Sequence, residues 1–467
     1  MVACKNGEVF CQTIRYFTVK NLLLNPLFFW LLLTMMYVGK NLELELFPDE
    51  IKVEQDYSAT FAGNMTLPVH KWYRYTAGFS AAWVNQLIKE EKTKGRTRII
   101  DPFAGSGTVL LESEFENVES MGIEAHPYVY RIAKAKLSWN YPADKFKKHA
   151  LSFLQKAKKK TITKKEFPKL IASCYPIEVI QKLEALKQTW LEIEQEQEIK
   201  DFTWFIITSI LRITSPVGTA QWQYIQPTKT KSKVIDPFIA FESKVHDMFM
   251  DMQKMQKRVL TLTDSKIFNE DARDIQSIPK GWGDLVITSP PYANNYDYAD
   301  ATRLEMTFWG DIKGWADLQD NVRKHLVRAC TQHVSKLGSE IDKILLNPKL
   351  SSIKSELIEV YETLKIERLK HGGKKNYHFM IAAYFTDLAE VFHSLRRVTS
   401  KNCLMCFVIG DSAPYGVYVP VDKWLGELAI SAGFKSYSFE KLRDRNTKWK
   451  NRKHTVPLHE GRLWIKG

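Results

Sequence analysis

Thr288-Ser289-Pro290-Pro291-Tyr292 follows directly on the apolar run Leu285-Val286-Ile287. A hydroxyl, two prolines and a phenol in that order would offer hydrogen-bond acceptors and an aromatic face to a flat, amine-bearing group. The prolines forbid both ladder pairing and helix, so the chain must leave a strand here with free carbonyls; an ordinary Pro-Pro strand exit accounts for the same residues. A second group stands earlier, at Asp101-Pro102-Phe103-Ala104-Gly105-Ser106-Gly107-Thr108. Gly105 and Gly107 allow a tight turn and close approach of a ligand to the backbone. The loop lacks the Lys-Ser/Thr ending of a phosphate-cradling P-loop. Glu124 ends another apolar run about 20 residues on, where an acidic side chain can hold ribose hydroxyls. Glycine loop, acidic strand end and proline pair together point to a nucleoside ligand that is not a triphosphate.

These groups need strands to deliver them. Arg98 to Asp101 reads as a strand, the glycine loop as its turn and Val109 to Phe115 as the helix that follows. Leu285, Val286 and Ile287 suit the middle of a parallel sheet, which puts Ser289 at the carboxyl edge, where open α/β sheets bind ligands. Ser80 is expected to cap a helix from Ala81 to Glu90, with Gly78 and Phe79 at its mouth; aromatic packing explains Val69 to Tyr75 equally well. A helix from Tyr377 to Arg397 leading into a strand from Leu404 to Ile409 repeats the helix–strand alternation. The expected fold is α/β, a doubly wound Rossmann-like sheet with inserted, mainly helical segments.

The 467 residues carry a formal charge of +14, which favours a polyanionic partner such as nucleic acid. Six scattered cysteines exclude a disulfide framework. Cys403 and Cys406 fall in a strand-like apolar run, no second pair accompanies them, and no metal is expected. Leu22 to Val38 is apolar, broken by Asn25 and Pro26, and slightly short for a membrane span. It is read as a dispensable or wrongly translated extension rather than an anchor or a cleaved signal, and the protein is expected in the cytoplasm.

Asp101 to Thr108 resembles the cofactor motif of S-adenosylmethionine-dependent DNA amino-methyltransferases, and Thr288 to Tyr292 resembles their catalytic motif. The serine form is typical of cytosine-N4 enzymes, whereas adenine-N6 enzymes more often carry aspartate or asparagine there. The resemblance implies S-adenosylmethionine as cofactor, with Glu124 on the ribose, Asp271 near the adenine and the segment around Phe79 over the methionine end. It implies double-stranded DNA as partner, along with a cognate restriction endonuclease where such an enzyme serves restriction–modification.

Six segments are expected: an apolar extension (1–40), the first half of the methyltransferase domain with the glycine loop (41–140), an insertion that is a candidate for target recognition (141–262), the half bearing the proline motif (263–310), a helical insertion (311–375) and the C-terminal part of the sheet (376–467). The first insertion opens with a lysine run, Lys145 to Lys169, which is either a solvated face or a phosphate-binding one. Ser215 to Lys229, rich in aromatic and amide groups, is either a target-reading loop or a packing lid. Tyr296 and Tyr298 either line a base pocket or simply pack. Lys448 to His454 would form a basic loop between final hairpin strands.

Methylation of a pyrimidine ring carbon commonly uses a cysteine after proline, and the chain has no Pro-Cys pair. An exocyclic amine needs no covalent intermediate once it is held in line with the methyl group. Ser289 and the Pro290 carbonyl are the expected acceptors for that amine, Tyr292 the stacking surface, and the base must leave the duplex. Cytosine N4 is ranked ahead of adenine N6. The other readings are an RNA guanine-N2 methyltransferase and a catalytically silent nucleic-acid-binding subunit.

Overall fold

The computed structural model describes residues 61–163, 166–228, 230–231, 233–261, 263–335, 337–445 and 456–467. Leu22 to Val38 and the Lys448 to His454 loop lie outside these.

Among the described residues seven strands form one sheet: β1 (Arg98–Asp101), β2 (Glu119–Ile123), β3 (Lys266–Phe268), β4 (Gly283–Thr288), β5 (Thr399–Gly410), β6 (Ser436–Arg445) and β7 (Leu458–Lys466), in the order β3-β2-β1-β4-β5-β7-β6. All neighbours are parallel except β7, which runs antiparallel to both β5 and β6. This is a Rossmann-like methyltransferase sheet. The central strands are continuous apolar runs because helices cover both faces: Leu285, Val286 and Ile287 are wholly buried. Strand β6 closes the edge with Lys441, Arg443 and Asp444, charges that discourage pairing with another chain.

The winding direction reverses between β1 and β4, whose registers pair Ile99 with Leu285 and Ile100 with Val286. A crevice opens beyond the carboxyl ends of strands at such a reversal. The glycine loop leaves β1 and the proline motif leaves β4, so the two motifs meet there although they are far apart in the chain.

The helices that position the site are α1 (Ala81–Thr93), α2 (Thr108–Phe115), α3 (Pro127–Leu137), α4 (Ala143–Lys158), α5 (Ile177–Glu192), α6 (Gln197–Ile210), α7 (Pro237–Arg258), α8 (Arg303–Trp309), α9 (Lys354–Lys370), α10 (Tyr377–Val398) and α11 (Val421–Ser431). Ser80 caps α1 by accepting the Trp83 N–H at 3.3 Å, as its residue type suggests. Pro127 opens α3, where its fixed φ and missing N–H cost nothing. Helices α4 to α7 bundle through Phe146 against Phe202 and Phe153 against Phe241, with ring centroids 5.0 and 5.4 Å apart. Their core runs on into Tyr128, Val129 and Ile132 of α3, so this bundle is fused to one face of the sheet. The apolar stretch from Phe202 to Ile210 belongs to α6. On the other face α10 and α11 pack through Phe385 against Trp424 and Phe392 against Phe407.

The described elements of the 311–375 segment are helical, but most are short. Among the described residues of this segment only α9 is long; before it lie the short α-helices Leu318–Asn321 and Ile341–Leu345 and single 3-10 turns. Side-chain oxygens take the backbone donors a helix would need: Asp317 accepts from the N–H groups of Lys313 and Gly314, and Asn295 from Thr331. Among the described residues no helix is long and apolar enough to cross a membrane.

Candidate active site

A cavity of about 430 Å³ lies at the carboxyl edge of β1 and β4. Phe79, Asp101, Phe103, Ala104, Gly105, Ser106, Thr108, Glu124, Asp271, Ser289, Pro290, Pro291 and Tyr292 all line it. Of the two motifs, Thr288 and Gly107 are not on its wall; Gly107, with φ +83°, turns the chain into α2, where a Cβ would stand 3.4 Å from that of Ala133.

The glycine loop is built around a buried carboxylate. Glu124 accepts the Gly105 N–H through Oε2 and the His126 N–H through Oε1, both at 2.8 Å. Burial pushes its pKa up to about 7 against the pull of these bonds. Gly105 has φ +52°, and a Cβ there would meet Tyr75 Cε1 at 2.9 Å, so both conformation and space require glycine. Behind the loop, buried Lys136 donates from Nζ to the Ser106 carbonyl at 2.9 Å, and burial lowers its pKa to about 7.

Asp101 accepts the Thr288 hydroxyl at 2.6 Å and the Phe103 N–H at 3.1 Å, both on Oδ1. Asp271 faces the cavity but is clasped by Arg273, whose Nε lies 2.9 Å from both carboxylate oxygens; Arg273 also reaches Asp387 at 3.2 Å.

In the proline motif, Ser289 donates its hydroxyl to the Val408 carbonyl of β5 at 3.1 Å. A serine whose proton is so engaged keeps its lone pairs for a donor in the cavity. The Arg445 guanidinium sits over the Tyr292 ring, 5.2 Å from its centroid, and Arg443 is paired with Glu460 at 2.9 Å.

Several wall residues escaped sequence reasoning. Trp222 comes from the loop 215–228 with φ +59° and packs on Tyr75 at a centroid distance of 4.4 Å. Tyr296 stacks on Tyr224 at 5.1 Å and meets Tyr298 edge-on at 5.0 Å, so packing and lining describe the same tyrosines, both of which face the cavity. His126 lies on the wall with burial lowering its pKa to about 3, which keeps the ring neutral. The signal for Tyr75 and Trp222 was only a local wealth of aromatics. Nothing local marks Lys136 or His126.

The chain is 25% identical to the Type II methyltransferase M.AvaI of a Nostoc species over 416 residues, covering 83% of this chain and 84% of the relative. It is 24% identical to M.BsoBI of Geobacillus stearothermophilus, over 83% and 82% of the two chains, and 23% identical to M.MvaI of Kocuria varians, over 77% and 78%; both carry the same description. No family model and no solved structure matches it.

Proposed function

We propose that the chain, which is similar to Type II methyltransferases over 83% of its length, transfers a methyl group from S-adenosylmethionine to an exocyclic amine of a base in double-stranded DNA, cytosine N4 ahead of adenine N6. The observation that carries the reading is one cavity shared by the Glu124-anchored glycine loop and by Ser289, whose hydroxyl proton is held by Val408.

The residues suit the cofactor. Glu124 offers acceptor oxygens to ribose hydroxyls, and the glycine loop leaves its backbone open on the cavity side. Asp271 stands near the adenine end, and Phe79 is set beside the glycine loop at the methionine end. S-adenosylmethionine, when bound, supplies an electrophilic methyl group on a sulfonium.

The chain's own residues then act on the amine. Ser289 Oγ and the Pro290 carbonyl accept its two N–H bonds and so turn the nitrogen lone pair toward the methyl group. They also stabilise the positive charge that grows on nitrogen. With Arg445 over one face of Tyr292, the other face is left for the base. Extruding the base costs a few kcal/mol, offset by that stacking and by edge contacts from the wall containing Trp222, Tyr296 and Tyr298. Target reading is assigned to the loop 215–228, which brings Trp222 to this wall, with the lysine-rich start of the 141–262 insertion contacting phosphates. A cognate endonuclease is the expected companion in restriction–modification.

The test is transfer of labelled methyl groups to duplex DNA of mixed sequence, with structured RNA in parallel, followed by mass spectrometry of the nucleosides. N4-methylcytosine is expected. N6-methyladenine would keep the mechanism and change the base; label in RNA alone would overturn the DNA reading, and no label in either would leave a binding subunit.

A further inference from the structure

Beside the cavity, the segment carrying Tyr296 and Tyr298 is knitted to residues 329–333. Asn295 donates its N–H to the Ala329 carbonyl at 3.1 Å, and its side-chain oxygen accepts from the Thr331 N–H and hydroxyl, both at 2.8 Å. Behind that seam Asp297, Cys330 and His333 converge, with one ligand-type atom of each lying within 4.8 Å of the others. The Cys330 thiol is free and fully buried. The His333 side chain is 1% exposed, yet neither ring nitrogen has a hydrogen-bond partner. Its Nε2 points at Asp297 Oδ1 from 3.7 Å, beyond hydrogen-bond range. Ligand atoms around one tetrahedral ion, at bond lengths of about 2.0–2.3 Å, stand roughly 3.3–3.8 Å apart.

We propose that Asp297, Cys330 and His333 bind a divalent metal ion, zinc being the one their oxygen, sulfur and nitrogen donors suit, and that the ion staples the target-side wall of the cavity to the segment after α8. The mixed donor set disfavours magnesium and calcium, which take oxygen ligands. Arg323 holds Asp297 by Oδ2 at 2.6 Å, which fixes the carboxylate; Oδ1, which accepts the Ala299 N–H at 3.2 Å and, more weakly, the Asp300 N–H and Arg323 Nε at 3.4 Å, would turn a lone pair to the ion. On binding, the Cys330 S–H bond breaks, its proton passes to solvent, and the sulfur bonds the metal as thiolate. Water completes the four positions. The spacing Cys330-x-x-His333 was present in the sequence, but the third ligand arrives from a different loop. An Asp297–His333 ion pair is the simpler alternative; Asp297 already has a cation in Arg323, and it gives the thiol no part.

The experiment uses the full chain without a histidine tag. Zinc is measured by mass spectrometry after exhaustive dialysis, and the metal-free protein is titrated with cobalt(II) and followed by absorption. About one equivalent of zinc per chain is expected, and cobalt should give a thiolate-to-metal charge-transfer band that the near-isosteric Cys330→Ser lacks. Zinc should raise the Tm of the wild type and not that of Cys330→Ser. Less than about a tenth of an equivalent of zinc with no cobalt band would overturn the site, as would a band that persists in Cys330→Ser. The wild-type cobalt spectrum decides the matter even if the variant folds poorly, and no readout depends on methyl transfer.

Discussion

Thr288 donates its hydroxyl to Asp101 across 2.6 Å, joining the last residue of β4 to the last residue of β1. The strand that delivers Ser289 is thereby tied to the strand that delivers the glycine loop. Burial raises Asp101 from 3.8 to about 7, opposed by the bonds from Thr288 and Phe103. A carboxyl whose folded value lies above its unfolded one holds more protons when folded, so its stabilising contribution is complete below the unfolded value and is lost as pH rises through the folded one. Asp101's contribution to the stability of the cofactor-free protein should therefore fall between about pH 4 and about pH 7. Asp101→Asn keeps an acceptor for Thr288 and should flatten that fall, as thermal melts across the range would read. An unaltered slope would remove Asp101 as its source.

Ser289→Ala should lower kcat by roughly 10²–10³-fold, the scale of a lost transition-state hydrogen bond. Its Kd for S-adenosylmethionine should stay within about twofold, since the proposed partner of the hydroxyl is the amine and not the cofactor. Labelled-methyl assays and calorimetry read the two separately. Equal losses in both would make Ser289 a cofactor or scaffold residue.

Glu124 titrates near 7 because it is buried, and the proposed cofactor is cationic. Binding a cation favours the ionised carboxylate, so Kd should fall as pH rises through about 7, with proton release visible as a buffer-dependent heat. Glu124→Gln should weaken binding about 10–100-fold, the worth of a hydrogen bond to a charged group, and lose that pH dependence. A variant that binds as tightly as wild type would detach Glu124 from the ribose.

Arg212, in the turn just after α6, and Glu305, on α8, form a buried pair with the Nε donor 2.6 Å from Oε1; Arg212 also donates to Thr219 Oγ1 at 3.1 Å, at the root of the loop carrying Trp222. Removing one partner strands the other charge away from water, so Arg212→Met should cost about 3–5 kcal/mol of unfolding free energy. Replacing both partners with apolar residues should cost much less. Urea unfolding of the single and double variants measures the difference, and equal losses would make the pair's charge irrelevant.

The parts of this protein that depend on neighbours in the chain were legible without coordinates. Two prolines after Leu285-Val286-Ile287 must end a strand, Gly105 and Gly107 must make a turn, and the alternation of strand and helix requires a doubly wound sheet. The carboxyl-edge location of both motifs follows from those facts. What the tertiary structure decided is everything carried by residues distant in sequence. That β1 and β4 are neighbours, that Val408 holds the Ser289 proton and that Arg273 clasps Asp271 are matters of packing, which no local spacing encodes. The segment after α8 is broken into short helical pieces before α9 for the same reason: Asn295, Asp317 and their partners capture backbone donors only once the fold has brought them together. The Tyr75–Trp222 wall likewise exists because the insertion's core is continuous with α3, and that continuity is a property of the folded interior.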